Sequence, residues 1–145
     1  MNIFTYLKRD HETVAELFDK ILSTRSSDKR KAIFDEVAKE LLIHIQAESS
    51  TFYEALRAFE EAAELIGHAE KEHTEVKDYI TKIYKISIES EKWIEQFGEL
   101  KHSVTHHVEE EEGDIFEMAK RVLSNEQATQ LALDMRTLKE ELKAA

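Results

Sequence analysis

Cysteine and proline are absent from this 145-residue chain, and glycine occurs only three times. Without cysteine there is no disulfide, no thiolate metal site, no iron–sulfur cluster and no thiol catalysis, so any metal must be held by nitrogen and oxygen donors. The shortage of helix breakers leaves little material for tight turns and favours long helices. Positive charge is short as well: 20 Lys and Arg stand against 31 Asp and Glu, a net charge of -11. No basic stripe is available to displace counterions from nucleic acid or to hold an anionic membrane, so neither is expected as a partner. No run approaches the roughly 18 apolar residues of a membrane span, and the first residues enter an amphipathic pattern with no apolar signal core. A soluble cytoplasmic protein is the expectation.

The hydrophobic fraction of 41% recurs along the whole length and fits one domain over residues 1–145 with a single substantial core. Apolar spacing predicts an all-α, up-down-up-down four-helix bundle over about 2–123 with an additional C-terminal helix over about 125–143. Helix A is capped by Asn2 and runs to about Ser23. Helix B follows Ser26-Ser27-Asp28 and reaches about Phe59, helix C spans about Glu61 to Ile86, and helix D runs from Glu91 to Leu123. Ser124-Asn125-Glu126-Gln127 fits a capping box and opens the last helix. Its narrow apolar stripe either covers one bundle face or makes a homodimer contact.

Within this pattern lies a near-repeat of ligand-type residues: His11, then His44 and Glu48, against His73, then His107 and Glu111. The lone His precedes its His-x-x-x-Glu pair by 33 residues in the first half and by 34 in the second. Helix phase puts all six on apolar stripes. His44 and Glu48 continue the series Val37, Leu41 and precede Phe52; His107 and Glu111 continue Leu100, Val104 and precede Ile115. His68, His102 and His106 fall on polar faces instead, as do the neighbours of Glu111 in the run Glu109 to Glu112. A buried, unpaired carboxylate costs several kcal/mol or protonates, and neutral imidazole cannot compensate two of them. A pair of dications can, so four His and two Glu form an inventory for two metal ions inside a bundle. Phe52, Tyr53 and Phe116 would wall the site, and Tyr53 or Tyr79 could hydrogen-bond a bound oxygen species.

These residues resemble the hemerythrin-like, HHE cation-binding domains. The resemblance rests on Asp10-His11 with Val14, His44-Ile-Gln-Ala-Glu48 with Phe52-Tyr53, Glu72-His73, and His106-His107 through Glu111 to Phe116, covering about Ile3 to Leu123. It implies a non-haem di-iron centre in which Glu48 and Glu111 bridge two iron ions along with an oxo or hydroxo group, while His11, His44, His73 and His107 complete the ligation. Oxygen-carrying hemerythrins place a second His four residues after the helix-C ligand, where this chain has Lys77. They use His-x-x-x-x-Asp in helix D, where His-x-x-x-Glu stands here, and many relatives have Pro at the positions of Glu54 and Glu117.

Two six-coordinate irons need about twelve donor positions. Four His, two bridging Glu and one shared solvent bridge supply about ten, leaving about two open, as reactive metal sites require. Such a centre suits a protein that binds, senses or processes a small diatomic or peroxide ligand: oxygen, peroxide or nitric oxide. Reversible oxygen binding or iron storage is the alternative. A metal-free or zinc-bearing helical interaction module is a third reading, against which the core phase of both Glu residues counts. Only Glu70-Lys-Glu-His73 matches the Glu-x-x-His pattern of which a ferritin-type oxidase needs two.

Overall fold

The computed structural model describes all 145 residues, and the chain is helical throughout. Helix α1 spans Ile3–Ser23. Helix α2 begins with Ser27–Glu48, passes through a π-helical turn at Ser49–Tyr53 and ends in Glu54–Leu56. A 3-10 turn at Glu60–Ala62 leads into α3, Ala63–Tyr84. Helix α4 repeats the construction of α2: Glu91–Glu110, a π turn at Glu111–Ile115, then Phe116–Val122. Helix α5 is Asn125–Ala144. Helices α2 and α3 are therefore both shorter at the loop between them than sequence predicts, because Phe59 turns extended ahead of the 3-10 turn.

Polar side chains fix where each helix starts. Asn2 Oδ1 accepts from the Thr5 backbone N–H at 3.0 Å, and Ser26 and Ser90 cap α2 and α4 in the same manner. Ser124 and Gln127 form the reciprocal capping box expected at α5. The amphipathic stripes pair α1 with α2 and α3 with α4, and the two hairpins close into the four-helix bundle. The stripe of α5, with Ala128, Leu131, Ala132 and Met135 buried, lies against α1 and α2 of the same chain. No helix is long and apolar enough to cross a membrane.

The core is divided into two apolar clusters. One holds Phe4, Leu7, Phe52, Leu56, Phe116 and Met135, at the end where α5 packs. The other holds Phe18, Phe34, Trp93 and Phe97, whose rings meet edge-on or stacked, with Val37 and Ile80 around them. Each fully buried large apolar side chain contributes roughly 1.5–3 kcal/mol. Every bundle helix changes cluster at a ligand-type residue: Leu7 and Val14 flank His11, Ile45 and Phe52 flank Glu48, Ala69 and Val76 flank His73, and Val104 and Ile115 flank His107 and Glu111. A polar layer thus crosses the bundle between two dry ends.

Candidate metal centre

Glu48 and Glu111 lie at the middle of that layer and are both 0% exposed. Four imidazoles converge on them, each with Nε2 pointing inward. His11 Nε2 is 3.2 Å from Glu111 Oε1, and His107 Nε2 is 3.3 Å from Glu111 Oε2. His44 Nε2 is 3.5 Å and His73 Nε2 3.1 Å from Glu48 Oε1. Two groups of donors able to hold a cation result: His11, His44, Glu48 and Glu111, and Glu48, His73, His107 and Glu111. Both carboxylates belong to both groups.

Despite these short separations, His11 Nε2, His73 Nε2, both oxygens of Glu48 and Glu111 Oε1 are buried without a hydrogen-bond partner. The donors aim at common points between them rather than at one another. Adjacent ligand atoms around an octahedral ion with bonds of about 2.1 Å stand about 3.0 Å apart, close to the spacing found.

The opposite ring nitrogens are tied down from outside. Nδ1 of His44 meets Asp10 Oδ2 at 2.9 Å, Nδ1 of His107 meets Glu72 Oε1 at 2.8 Å, and Nδ1 of His11 meets Glu112 Oε2 at 2.7 Å. His73 Nδ1 lies 3.4 Å from Ser49 Oγ. An Nδ1–H donated to a carboxylate leaves the Nε2 lone pair facing the centre, which is how metal-binding imidazoles are oriented. Asp10 also accepts from Lys139 Nζ of α5 at 2.6 Å.

The buried groups also shift one another's affinity for protons. Burial opposes a charged ring at His44, but the Glu48 carboxylate and the Asp10 hydrogen bond raise it to about 10. His107, likewise opposed by burial, is raised to about 10 by hydrogen bonds to Glu111 and Glu72. Burial alone would raise the Glu111 carboxyl, yet His107 and His11 hold it well below the usual range. Burial also opposes ionisation of Asp10, and hydrogen bonds from His44 and Lys139 bring it down to about 2.

The two π turns begin where the carboxylates sit. A π turn closes i to i+5 and places residues four and five positions on to either side of the starting residue, instead of one inside and one out. Phe52 and Tyr53 after Glu48, and Ile115 and Phe116 after Glu111, are consequently all buried. Tyr53 stacks on His73, with centroids 5.2 Å apart, and donates its hydroxyl to Glu111 Oε2. Its counterpart Phe116 has no hydroxyl to offer Glu48. On the other side of the layer a cavity of about 30 Å³ touches all four imidazoles and is roofed by Val14, Leu41, Ile45, Val76, Val104 and Val108. It has room for about one water or diatomic molecule.

Residues 2–119 match the hemerythrin HHE cation binding domain. The chain belongs to the hemerythrin HHE family. A crystal structure of a hemerythrin HHE cation binding domain-containing protein from Mycobacterium kansasii superposes with a TM-score of 0.89 at 27% identity, covering 99% of this chain and 88% of that one. An uncharacterized protein of Mycobacterium tuberculosis is 28% identical over 116 residues, 79% of this chain and 70% of the relative. A Nostoc protein named as a DNA nickase is 28% identical over 145 residues, 98% of this chain but 40% of its own length. This HHE chain therefore spans less than half of the Nostoc relative.

Several residues sit differently from their sequence phase. Glu72 and Glu112 belong to polar faces by periodicity, yet Glu72 is buried and both hold imidazoles of the layer. The available signal was that Asp10 and Glu72 each immediately precede the lone His of their half. Tyr79 is half-buried beside Glu75, Glu99 and His102 and is not among the residues that line the small cavity against the four imidazoles. Lys77 is exposed, so the position that carries an extra imidazole in oxygen carriers faces solvent here. His68, His102 and His106 are exposed as their phase predicts.

Proposed function

We propose that this is a non-haem di-iron protein that senses or processes a small oxidant such as oxygen, peroxide or nitric oxide. One iron ion would be held by His11, His44, Glu48 and Glu111 and the second by His73, His107 and the same two carboxylates. The observation that carries the reading is the set of buried donors left without partners around two fully buried carboxylates. A cluster of that kind is costly unless positive charge is supplied, and an all nitrogen-and-oxygen donor set suits iron among the common redox metals. Bound iron would contribute one-electron redox chemistry and open coordination positions.

The protein's own groups do the rest. Asp10, Glu72, Glu112 and Ser49 orient the four rings and raise the basicity of the inward nitrogens. Tyr53 holds one Glu111 oxygen, and Phe52 and Phe116 keep that side dry. The small apolar cavity has the volume for a ligand of two heavy atoms. With Lys77 in solvent, that position adds no donor to the six residues, which favours reaction over storage of oxygen. Nicking of DNA is not carried over from the Nostoc relative, because a net charge of -11 offers no footing for a phosphate backbone.

Metal analysis and absorption spectra, before and after anaerobic ferrous loading and exposure to air, test this. About two irons per chain with near-ultraviolet iron–oxygen bands are expected. A colourless chain that takes up no iron would overturn the reading, and a stable reversible oxygen adduct would replace oxidant processing by oxygen carriage.

A further inference from the structure

Outside the buried layer, the second hairpin brings together three more donors, His68, Glu72 and Glu110, and sets His106 beside them. His68 Nε2 lies 3.4 Å from Glu72 Oε2 and 3.3 Å from Glu110 Oε2. His106 Nε2 lies 2.9 Å from Glu110 Oε1 and 3.6 Å from Glu72 Oε2. Both rings are exposed, Glu110 is partly buried, and the Glu72 side chain is 7% exposed.

Glu72 divides its oxygens between two environments. Oε1 is committed to the Nδ1–H of His107, a residue of the buried layer. Oε2 faces His68 and His106 at separations longer than a good hydrogen bond. Ligand atoms around a four-coordinate ion with bonds of about 2.1 Å stand about 3.4 Å apart, close to the 3.4 and 3.3 Å from His68 Nε2 to Glu72 Oε2 and Glu110 Oε2. Donor atoms of His68, Glu72 and Glu110 all lie within 4.8 Å of one another, so two carboxylates are held side by side. Their repulsion calls for a cation.

The surroundings favour one. A surface depression of about 660 Å³ opens at this cluster, and Glu61, Glu64 and Asp114 add their charge to Glu72 and Glu110 on its walls. A second depression of about 240 Å³, with His102, His106 and Glu99, reaches Glu72 from the other side. Acidic clefts of this kind raise the local concentration of cations. The equivalent place in the first hairpin is closed, since Asp10 is covered by Lys139.

We propose that His68, Glu72 and Glu110, with His106 at their edge, form an outer site that takes a divalent metal ion from solvent and delivers it to the buried centre. Only the imidazole of His107 separates the two. Delivery rests on the di-iron reading; the outer site itself does not.

Cobalt(II) titration of the chelator-stripped full chain, followed by calorimetry and visible absorption, tests both parts. The parent chain is expected to bind about three ions, His68→Ala/His106→Ala about two, and Glu48→Gln/Glu111→Gln about one with the strong absorption of four-coordinate cobalt. Both exposed histidines can be removed without disturbing the core, and the filling of the buried centre should then slow roughly tenfold at unchanged final occupancy. Equal ion counts in the parent and the His68→Ala/His106→Ala chain would overturn the outer site and leave ion pairs in its place. Loss of the outer ion with an unchanged filling rate would overturn delivery. A parent that binds one ion, lost on removing the two histidines, would uphold the outer site and overturn the di-iron reading instead.

Discussion

Asp10 and Glu72 hold equivalent imidazoles at nearly equal lengths, 2.9 and 2.8 Å, but their other sides differ. Asp10 is capped by the buried ammonium of Lys139 from α5, whereas Glu72 opens onto two exposed histidines and an acidic depression. The halves also differ inside: Tyr53 donates to Glu111, and Phe116 in the corresponding place leaves both oxygens of Glu48 without a partner. A repeated hairpin thus supplies the ligand frame twice, while the non-repeated parts decide that one half is sealed and the other reachable. The fifth helix is what makes the difference, because it covers α1 and α2 and leaves α3 and α4 uncovered.

The most direct way to break the comparison is to remove a residue common to both halves. Glu48→Ala or Glu111→Ala is expected to reduce iron from about two per chain to nearly none, because each carboxylate serves both donor groups. His44→Ala or His107→Ala removes a donor from one group only and should leave about one ion. Metal analysis by mass spectrometry distinguishes them. One ion retained in Glu48→Ala would mean that the halves bind independently.

Proton release gives the next largest effect. In the ion-free fold His44 and His107 are raised to about 10, one in each half. Raised imidazoles add stability that is complete below about 6.5 and is lost as pH climbs from there toward about 10. Asp10 at about 2 and the lowered Glu111 work the other way, adding stability above about 4 that is lost as pH falls. The ion-free chain should therefore melt highest between about pH 4 and 6.5. Metal binding must expel about one proton from each half near pH 7, so the apparent affinity for each ion should rise roughly tenfold per pH unit there. Calorimetry in buffers of different ionisation enthalpy counts the protons, and a count near zero would mean that the rings are already neutral.

The six inward residues were legible because burial phase and ligand chemistry coincide in them: His44 and Glu48 continue Val37 and Leu41, and the same spacing returns at His107 and Glu111. The four bundle helices followed from the same periodicity. The orienting acids were not legible, because Asp10, Glu72 and Glu112 stand one position off the apolar stripe. What buries them is an imidazole arriving from another helix. The π turns were hidden for a related reason. No propensity marks them, and only the joint burial of Phe52 with Tyr53 and of Ile115 with Phe116 shows that the helix must widen there. The side on which α5 settles depends on Lys139 meeting Asp10, a pairing across 129 positions that periodicity does not contain.

Replacing the orienting acids sharpens the contrast between sealed and open halves. Asp10→Asn and Glu72→Gln should each lower iron affinity about 10- to 100-fold, since both leave an imidazole less firmly held. Stability should separate them. Asp10→Asn also strands the Lys139 ammonium, whose side chain is 8% exposed, and should cost about 2 kcal/mol after allowance for the partial exposure of Asp10. Glu72→Gln strands no buried cation and should melt close to the parent. Equal losses in both would show that α5 does not seal its half through this pair.

The smallest effect is expected in the cavity, where the repeat is inexact by one methylene at each of two positions. Leu41 and Ile45 of the first half stand where Val104 and Val108 stand in the second, and all four line the space of about 30 Å³. Val104→Leu makes the second half copy the first at one of these positions. The added methylene takes up volume on the order of one water, comparable with the cavity itself, at a packing cost of about 1 kcal/mol. Iron content should be unchanged, because no donor moves, while oxidation of the ferrous protein by oxygen slows several-fold in stopped-flow traces. Leu41→Val enlarges the same space from the sealed side and should speed that reaction or leave it unaltered. Were both variants to oxidise at the parent rate, the small ligand would have to reach the centre by another path, and the depressions that meet at Glu72 would be the next to block.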